Sequence, residues 1–461
     1  MIFALNHCHT SLLLRHFFMF KHESLARNLF SMTWPMLLGV IAIMSFQLVD
    51  SFFISLLGTD PMAAMGFTMP ITQLMIGMQV GIGIAATALI SRALGAEKTA
   101  KAKRLSGLVL LVGTITMAFI SVLVLLLKQP ILAAMKADSS LFVYTDSYWL
   151  PWLISSWAYS ILYFGISLFR AYGDTKLPGL LMVGTSLLNM ALDPLFIFVF
   201  DFGLPGAAYA TIVACLVGGA LLFTRLHNRQ WVRFDISITD TLSALRNLAA
   251  ISLPAMLSQL MPGIAALLAT RIVAGFGSAA VAAWALGTRL ETFSIVVVLA
   301  FTMSVPPMLA HMLGAKRLTQ IDELVTLATK FILIFQTVVA GVWLILQPWL
   351  VSTLTQDPET ATYLANYMLW VPISYSAIGV CILMVSVCNA LGLPMRAVVI
   401  SVLRLFAFYL PAVAIGAYFA HMDGVYYGVL VGNAAAGLCG WWLYRRGLQR
   451  LATQIQPSTV L

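Results

Sequence analysis

ALISRALGAEK, residues 88–98, closes one long apolar run, and MLAHMLGAKR, residues 308–317, closes another that resembles it. Placing Gly95 on Gly314 sets an offset of 219. Pro35 and Pro254, each opening an apolar run, stand at the same offset. So do Ala171 and Gly173 of FRAYGDTKLP (169–178) against Ala390 and Gly392 of VCNALGLP (387–394). A short match containing glycine is weak alone. Three distant anchors at one offset make a repeat, and the chain reads as two halves built to one plan.

Each half holds six apolar runs. They lie near 30–57, 69–91, 105–127, 148–169, 177–200 and 206–224, then near 249–275, 292–314, 328–350, 363–388, 397–420 and 425–443. Hydrophobic residues make up 61% of the 461 and charged residues 9%. A soluble domain carries roughly one quarter charged residues, so this chain cannot coat a water-soluble fold of its size. Runs of about 20 residues cross a hydrocarbon core of about 30 Å, and backbone in lipid must satisfy its own hydrogen bonds, so they are helices. The expected fold is all-α and polytopic, with twelve transmembrane helices in two pseudo-symmetric six-helix bundles. Six crossings return the chain to the side it left, so the repeats are parallel, related by an axis along the membrane normal. The expected divisions are a lead-in at 1–29, a first bundle at 30–224, a linker at 225–248, a second bundle at 249–443 and a tail at 444–461.

Charge sets the orientation. The N-terminus, the even-numbered connections and the C-terminus hold 21 of the 26 Lys and Arg residues. Lys128, Lys136, Arg271 and Arg289 fall on the other side, and Arg404 lies within a span. The bias places both termini in the cytoplasm. The formal net charge of +9 is therefore a cytoplasmic-face signal and argues for no nucleic-acid partner. Cys8, Cys215, Cys381, Cys388 and Cys439 form no CxxC pair, which predicts neither a disulfide framework nor a metal site. The seven histidines form no HExxH or acid-paired cluster, so no enzyme and no cofactor are expected. No small-residue cleavage site follows Leu12–Leu14, and KHESLARNLF reads as a cytoplasmic lead-in, leaving Met1 and Met19 as alternative natural starts.

Of 17 acidic residues, this reading places 15 in connections or near span ends; Asp50 and Asp193 lie deeper. A carboxylate in hydrocarbon costs ~2.5 kcal/mol or more and faces a cavity or a bundle interior. Asp50 stands eight residues before Gly58, and Asp193 eight before Asp201. At about 1.5 Å per residue, both acids lie roughly 12 Å below the outer surface. Asn189, four residues before Asp193, shares its helical face. Thr211, early in the inward-running sixth span, reaches a similar level. Two carboxylates, an amide and a hydroxyl could share a proton or coordinate Na⁺ through oxygen. Pro194 follows Asp193 directly and removes an amide donor, and Pro35 does the same in the first span. Two readings of these prolines stand: kinks tolerated in a membrane, or bends that respond to charge on the nearby acids. At the offset of 219, Asp50 falls on Ala269 and Asp193 on Ala412, so ion coupling is expected in the first bundle only. Arg404 either snorkels toward the cytoplasm or lines a cavity.

With these residues the chain resembles the multidrug and toxic compound extrusion (MATE) family. LVDSFFI (48–54), ALISRALGAEK, NMALDPLFIF (189–198) and FGLPGAAYAT (202–211) look like that family's motifs, and the resemblance runs from about residue 24 onward. It is nearest to the DNA-damage-inducible-F-like branch, whose first-bundle polar cluster matches Asp50, Asn189, Asp193 and Thr211. Tyr148 falls where that branch has a cavity tyrosine. The resemblance implies antiport across a bacterial-type inner membrane: H⁺, or alternatively Na⁺, moves in while an organic, often cationic and lipophilic compound moves out. Tyr148 and Asn189 would touch substrate, Pro35 and Pro194 would mark helix bending, and the protein would act as a monomer. The rival reading is a lipid-linked oligosaccharide flippase of related architecture, which would need a basic cavity where this chain offers Arg404.

Overall fold

The computed structural model describes residues 25–135, 141–234 and 238–455, and every regular element among them is a helix. Met19 and the rest of residues 1–24 lie outside the described residues. The first four spans are α1 (Leu25–Ser55), α2 (Thr59–Gly95), α3 (Thr99–Leu126) and, after the short α4 (Lys128–Ala134), α5 (Phe142–Ala171). The fifth is α6 (Lys176–Pro194) continued by a π-helical turn, Leu195–Val199; the sixth is α7 (Leu204–Arg229). In the second half α8 (Ile238–Ala274) is the seventh span, and α9 (Ser278–Ser294) with α10 (Val296–Gly314) forms the eighth. Then come α11 (Leu318–Leu354), and α12 (Pro358–Trp370) joined through the 3-10 turn Val371–Ser374 to α13 (Tyr375–Ala390). The eleventh span is α14 (Pro394–Val402), a π segment Leu403–Tyr409 and the start of α15 (Leu410–Ile455). Among the described residues eleven stretches are long and apolar enough to cross a membrane. Non-helical backbone at Ala420 and His421 divides α15, which makes twelve.

Helices outrun the apolar cores that announced them. LFTRLHNR contains no helix breaker, so α7 continues until Gln230 turns left-handed at φ 49°. α8 already begins at Ile238, so the helical part of the connection at 225–248 is larger than its polarity suggested. The eighth span begins at Ser278, well before 292, and this corrects the count of buried acids: Glu291 is a third carboxyl inside a span. α12 shows how local chemistry starts a helix. The Asp357 side chain accepts a bond from the Thr360 N–H at 2.9 Å, and Pro358 follows at the first helical position.

The repeat is legible in the backbone. Left-handed conformations recur at the offset of 219: Gly58 (φ 114°) with Gly277 (φ 103°), Glu97 (61°) with Lys316 (59°), and Gly173 (82°) with Gly392 (72°). Gly203 (φ 57°, ψ −137°) is matched by His421 (φ 51°, ψ −137°) one residue short of that offset. Homologous turns were kept even where no glycine eases them.

The bundles meet near one face, here the terminal face, which carries Leu25 and the connections after α2, α5, α7, α10 and α13. α2 and α10 cross there almost in contact. A Cβ on Gly95 would stand 1.9 Å from the His311 carbonyl oxygen, and one on Gly314 would stand 2.2 Å from that of Arg92. His311 is Arg92 displaced by 219, so the crossing lies on the pseudo-twofold axis. Deeper in, Gly81 lies against Met256 and the Ser252 carbonyl, and Thr33 Oγ1 bonds Ser304 Oγ at 2.8 Å. Toward the opposite face, the apolar cluster built on Trp284, Tyr367 and Tyr426 contains second-bundle residues alone.

This crossing sets a prediction. Overpacking a close contact costs about 1–3 kcal/mol, so Gly95→Leu should depopulate the joined form roughly 5- to 150-fold. In a background without native cysteines, crosslinking between Thr33→Cys and Ser304→Cys should fall accordingly. An unchanged crosslinking yield counts against a crossing that glycine alone permits.

Candidate functional site

α1 and α6 pack closely because small residues face each other. A Cβ on Gly179 would stand 2.3 Å from the Pro35 carbonyl oxygen, and Gly39 lies against the Met182 side chain. α6 with its π turn approaches α7 in the same way: a Cβ on Gly218 would stand 2.4 Å from the Thr185 methyl, and one on Gly206 2.7 Å from the Phe196 carbonyl oxygen. Three helices thereby bring Asp50 (α1), Asn189 and Asp193 (α6) and Thr211 (α7) into one neighbourhood.

Asp193 is fully buried at 0% exposure, Asn189 is buried, and Asp50 and Thr211 are half-buried. The Asn189 carboxamide bridges Asp193 and Thr211. With its NH₂ toward Asp193 it donates to both carboxylate oxygens, at 3.0 and 3.1 Å. Its carbonyl oxygen then accepts from the Thr211 N–H at 3.1 Å and the Thr211 hydroxyl at 2.8 Å. The opposite orientation would turn the NH₂ toward the Thr211 N–H, donor against donor, and the carbonyl oxygen toward the acid. The site therefore holds the amide in one orientation, which suits an ionised Asp193. Thr211 can alternatively donate to the Ala207 carbonyl at 3.0 Å.

Asp50 acts electrostatically on Asp193, so the two acids belong to one site. Buried Tyr148, on α5, is reached by the Asp50 charge and meets the Thr68 side chain. Thr68, on α2, was not anticipated, because a hydroxyl within an apolar run usually bonds its own helix; here its donor goes to the Met65 carbonyl at 2.7 Å. α1 runs through Pro35 as one continuous helix. Pro194 ends α6, and the chain widens at once into the π turn, whose Phe198 ring meets Phe53 of α1 at 6.2 Å. Among the described residues no group of three or more His, Cys, Asp or Glu is placed to hold a metal ion.

Arg404 sits on the π segment of the eleventh span, half-buried, and interacts with Glu291. It faces the interior of the second bundle. Sequence reasoning overlooked Glu291 because ALGTRLETF looks like a connection once the span is begun at 292. The signal available was Gly277 at the offset of 219 from Gly58, which starts a helix immediately after it.

Two parallel six-helix repeats, joined at one face and carrying carboxyls inside their spans, one of them fully buried, have the architecture of a membrane transporter. The MatE family profile matches residues 35–195 and 254–415, one stretch in each half. The chain belongs to the MatE family, the multidrug and toxic compound extrusion transporters, and is not an enzyme. It is similar to the Vibrio cholerae MATE transporter VcmN solved in the bent form, at 50% identity and TM-score 0.91, covering 94% of this chain and 98% of that one. A protein of Shewanella oneidensis named FAD transporter is 31% identical over 444 residues, covering 94% of this chain and 97% of the relative. The multidrug export protein MepA of Staphylococcus aureus is 27% identical over 298 residues, covering 63% of this chain and 65% of that one. As a member of this family the chain is a multi-pass, cation-coupled efflux transporter.

The amide bridge yields a prediction. Removing the hydroxyl by Thr211→Val, or the amide by Asn189→Ala, leaves buried groups short of a partner and should cost about 1–3 kcal/mol each. The pair shares one bond network, so a double-mutant cycle on unfolding in mixed micelles should show coupling of about 0.5–3 kcal/mol. Additive losses would mean that the bridge does not form in the folded protein.

Proposed function

We propose that this protein exports organic compounds in exchange for protons by alternating access, with Asp50 and Asp193 as the coupling carboxyls. The observation that carries this reading is the Asn189 amide between Asp193 and Thr211. The amide turns its NH₂ to the acid and its oxygen to Thr211, so it is placed to stabilise Asp193 as a carboxylate and to lose that bond when the acid takes a proton. With both acids ionised, like charges crowd the half-buried site and favour access to water. A proton on Asp50 removes one charge. A proton on Asp193 takes away the acceptor that the amide serves and loosens the link to Thr211. The first bundle then tightens, with Pro35 and Pro194 as the places where α1 and α6 yield. The VcmN relative, described as captured in a bent form, supports motion of this kind. The charge bias supports cytoplasmic termini, so the joined terminal face is read as the cytoplasmic side in a bacterial inner membrane.

Lipophilic organic cations are the proposed cargo, touched by Tyr148 and Asn189, and the protein works as a monomer. The relationship to multidrug export proteins supports this class. A second reading rests on a specific relative: the protein named FAD transporter matches over almost the whole chain, so a flavin dinucleotide is the alternative cargo.

Purified protein in liposomes separates these readings. An imposed pH gradient should drive movement of a fluorescent lipophilic cation, and a Na⁺ gradient at equal pH should not. Asp50→Asn should insert and fold normally, yet give transport no faster than empty liposomes. Transport driven by Na⁺ alone, or full activity in Asp50→Asn, would overturn the proton reading. Exchange of flavin dinucleotide with no exchange of cation would transfer the mechanism to the second cargo.

A further inference from the structure

Glu291 has no part in the mechanism above. It lies one turn before the break at Ile295 in the eighth span. A carboxylate at such depth costs ~2.5–3.5 kcal/mol unless the protein supplies partners, and several packed elements supply them. α12 contributes Tyr367, whose hydroxyl donates to Glu291 Oε2 at 3.2 Å. α13 opens with Tyr375, and the π segment contributes Arg404 and Tyr409; all three lie within electrostatic reach of the carboxyl. These are the charged and titratable groups that face it.

The seat is built for that carboxyl. Gly287, one turn earlier on α9, lies against the Tyr367 ring, and a Cβ there would stand 2.6 Å from its edge. Only glycine lets the ring rest on the helix with its hydroxyl extended to Glu291. Trp284 and Tyr426 hold the ring edge-on, at 5.7 and 5.8 Å, and Tyr367 is 1% exposed. The helix break is propped as well. The Ser294 carbonyl accepts from Gln336 Nε2 at 3.0 Å, and the Ser294 hydroxyl accepts from Trp343 Nε1 at 2.6 Å. Opposite, Arg404 Nε is buried without a hydrogen-bond partner. Glu291 itself remains half-buried.

The repeat gives this arrangement meaning. Tyr367 is Tyr148 displaced by 219, and Gly287 is Thr68 displaced by 219. In the first bundle the tyrosine meets the Thr68 side chain and the charge of Asp50. In the second, the threonine is replaced by glycine and the tyrosine turns to Glu291, whose own counterpart is Thr72. Each bundle thus sets one buried tyrosine beside one carboxyl, the tyrosines at equivalent places and the acids at inequivalent ones.

The guanidinium decides what Glu291 binds. Arg404 lies within electrostatic reach of Glu291 without a contact ion pair, so an organic cation arriving there would meet a positive charge, whereas a proton needs no room. A metal ion would meet phenols and a cation here, and among the described residues no group of three or more His, Cys, Asp or Glu is placed to hold one. We infer that Glu291 is a proton-binding carboxyl of the second bundle, with Tyr367 as its hydrogen-bond partner and Arg404 as its charge partner, so that each bundle carries a titratable site. Ionised, the carboxyl attracts Arg404; protonated, it releases Arg404 to the wider π turn. Its role in transport rests on the proton-antiport reading; its binding of a proton does not.

Infrared difference spectra of the reconstituted full-length protein, stepped in pH, test it with the proton as the probe. A variant carrying Asp50→Asn and Asp193→Asn should retain a buried carboxylic-acid C=O band that appears and vanishes with pH. Adding Glu291→Gln should abolish that band. Arg404→Gln should shift its midpoint, and Tyr367→Phe should shift its frequency. A band unaltered by Glu291→Gln in a variant that melts like its parent overturns the inference. Should Glu291→Gln fail to fold, an unmoved midpoint in Arg404→Gln overturns it equally. Protons moved per substrate should also fall in Glu291→Gln. If the wild-type protein transports without a pH gradient, the antiport reading fails, while the band still decides the site.

Discussion

A carboxyl group buried between helices in a lipid-spanning bundle is the constraint from which the rest follows. Asp193 is shielded from solvent, so its stability depends on what α1, α6 and α7 bring to it. Those helices can serve it only if their backbones approach closely. The glycines at 39, 179, 206 and 218 permit that approach. Asn189 then serves the acid with its amide donors while Thr211 holds its carbonyl oxygen. Packing, polarity and function are here one requirement seen at three scales.

The second bundle answers the same requirement differently. Ala269 and Ala412 stand where the first bundle has its acids, and the polar interior is rebuilt around Glu291, Tyr367 and Arg404. Duplication preserved the turns, including the left-handed pair Glu97 and Lys316, and it preserved the tyrosine position. Charge was not preserved. Backbone geometry is held by every contact around it, whereas one carboxyl can be moved along a helix if a partner is found at the new place.

Much of this was legible in the sequence because hydrocarbon imposes a length on every apolar run and a cost on every charge. The spans and the acids Asp50 and Asp193, out of place in lipid, followed from those two facts, and the repeat followed from anchors such as Gly95 and Gly314 at one offset. Their convergence with Asn189 and Thr211 followed from helical spacing and depth. Glu291 escaped because its polar neighbours Arg289 and Thr288 disguised a membrane segment as a connection. The π turns after Pro194 and around Arg404 also escaped, since a surplus residue in a helix leaves no mark on an apolar pattern. Close crossings such as Gly95 on His311 depend on backbone separation, which an alignment of two glycines suggests but cannot measure.

The π turn at Leu195–Val199 holds a reserve of rotation. A π-helical turn stores one residue beyond the α-helical count, and one residue is worth about 100° around the axis. Moving that surplus along the fifth span would swing the rings of Phe196 and Phe198 around the axis while Asp193, anchored through Asn189, stayed in place. The helix therefore contains a swivel between its chemical half and its aromatic half, and torque applied at one end need not disturb the other.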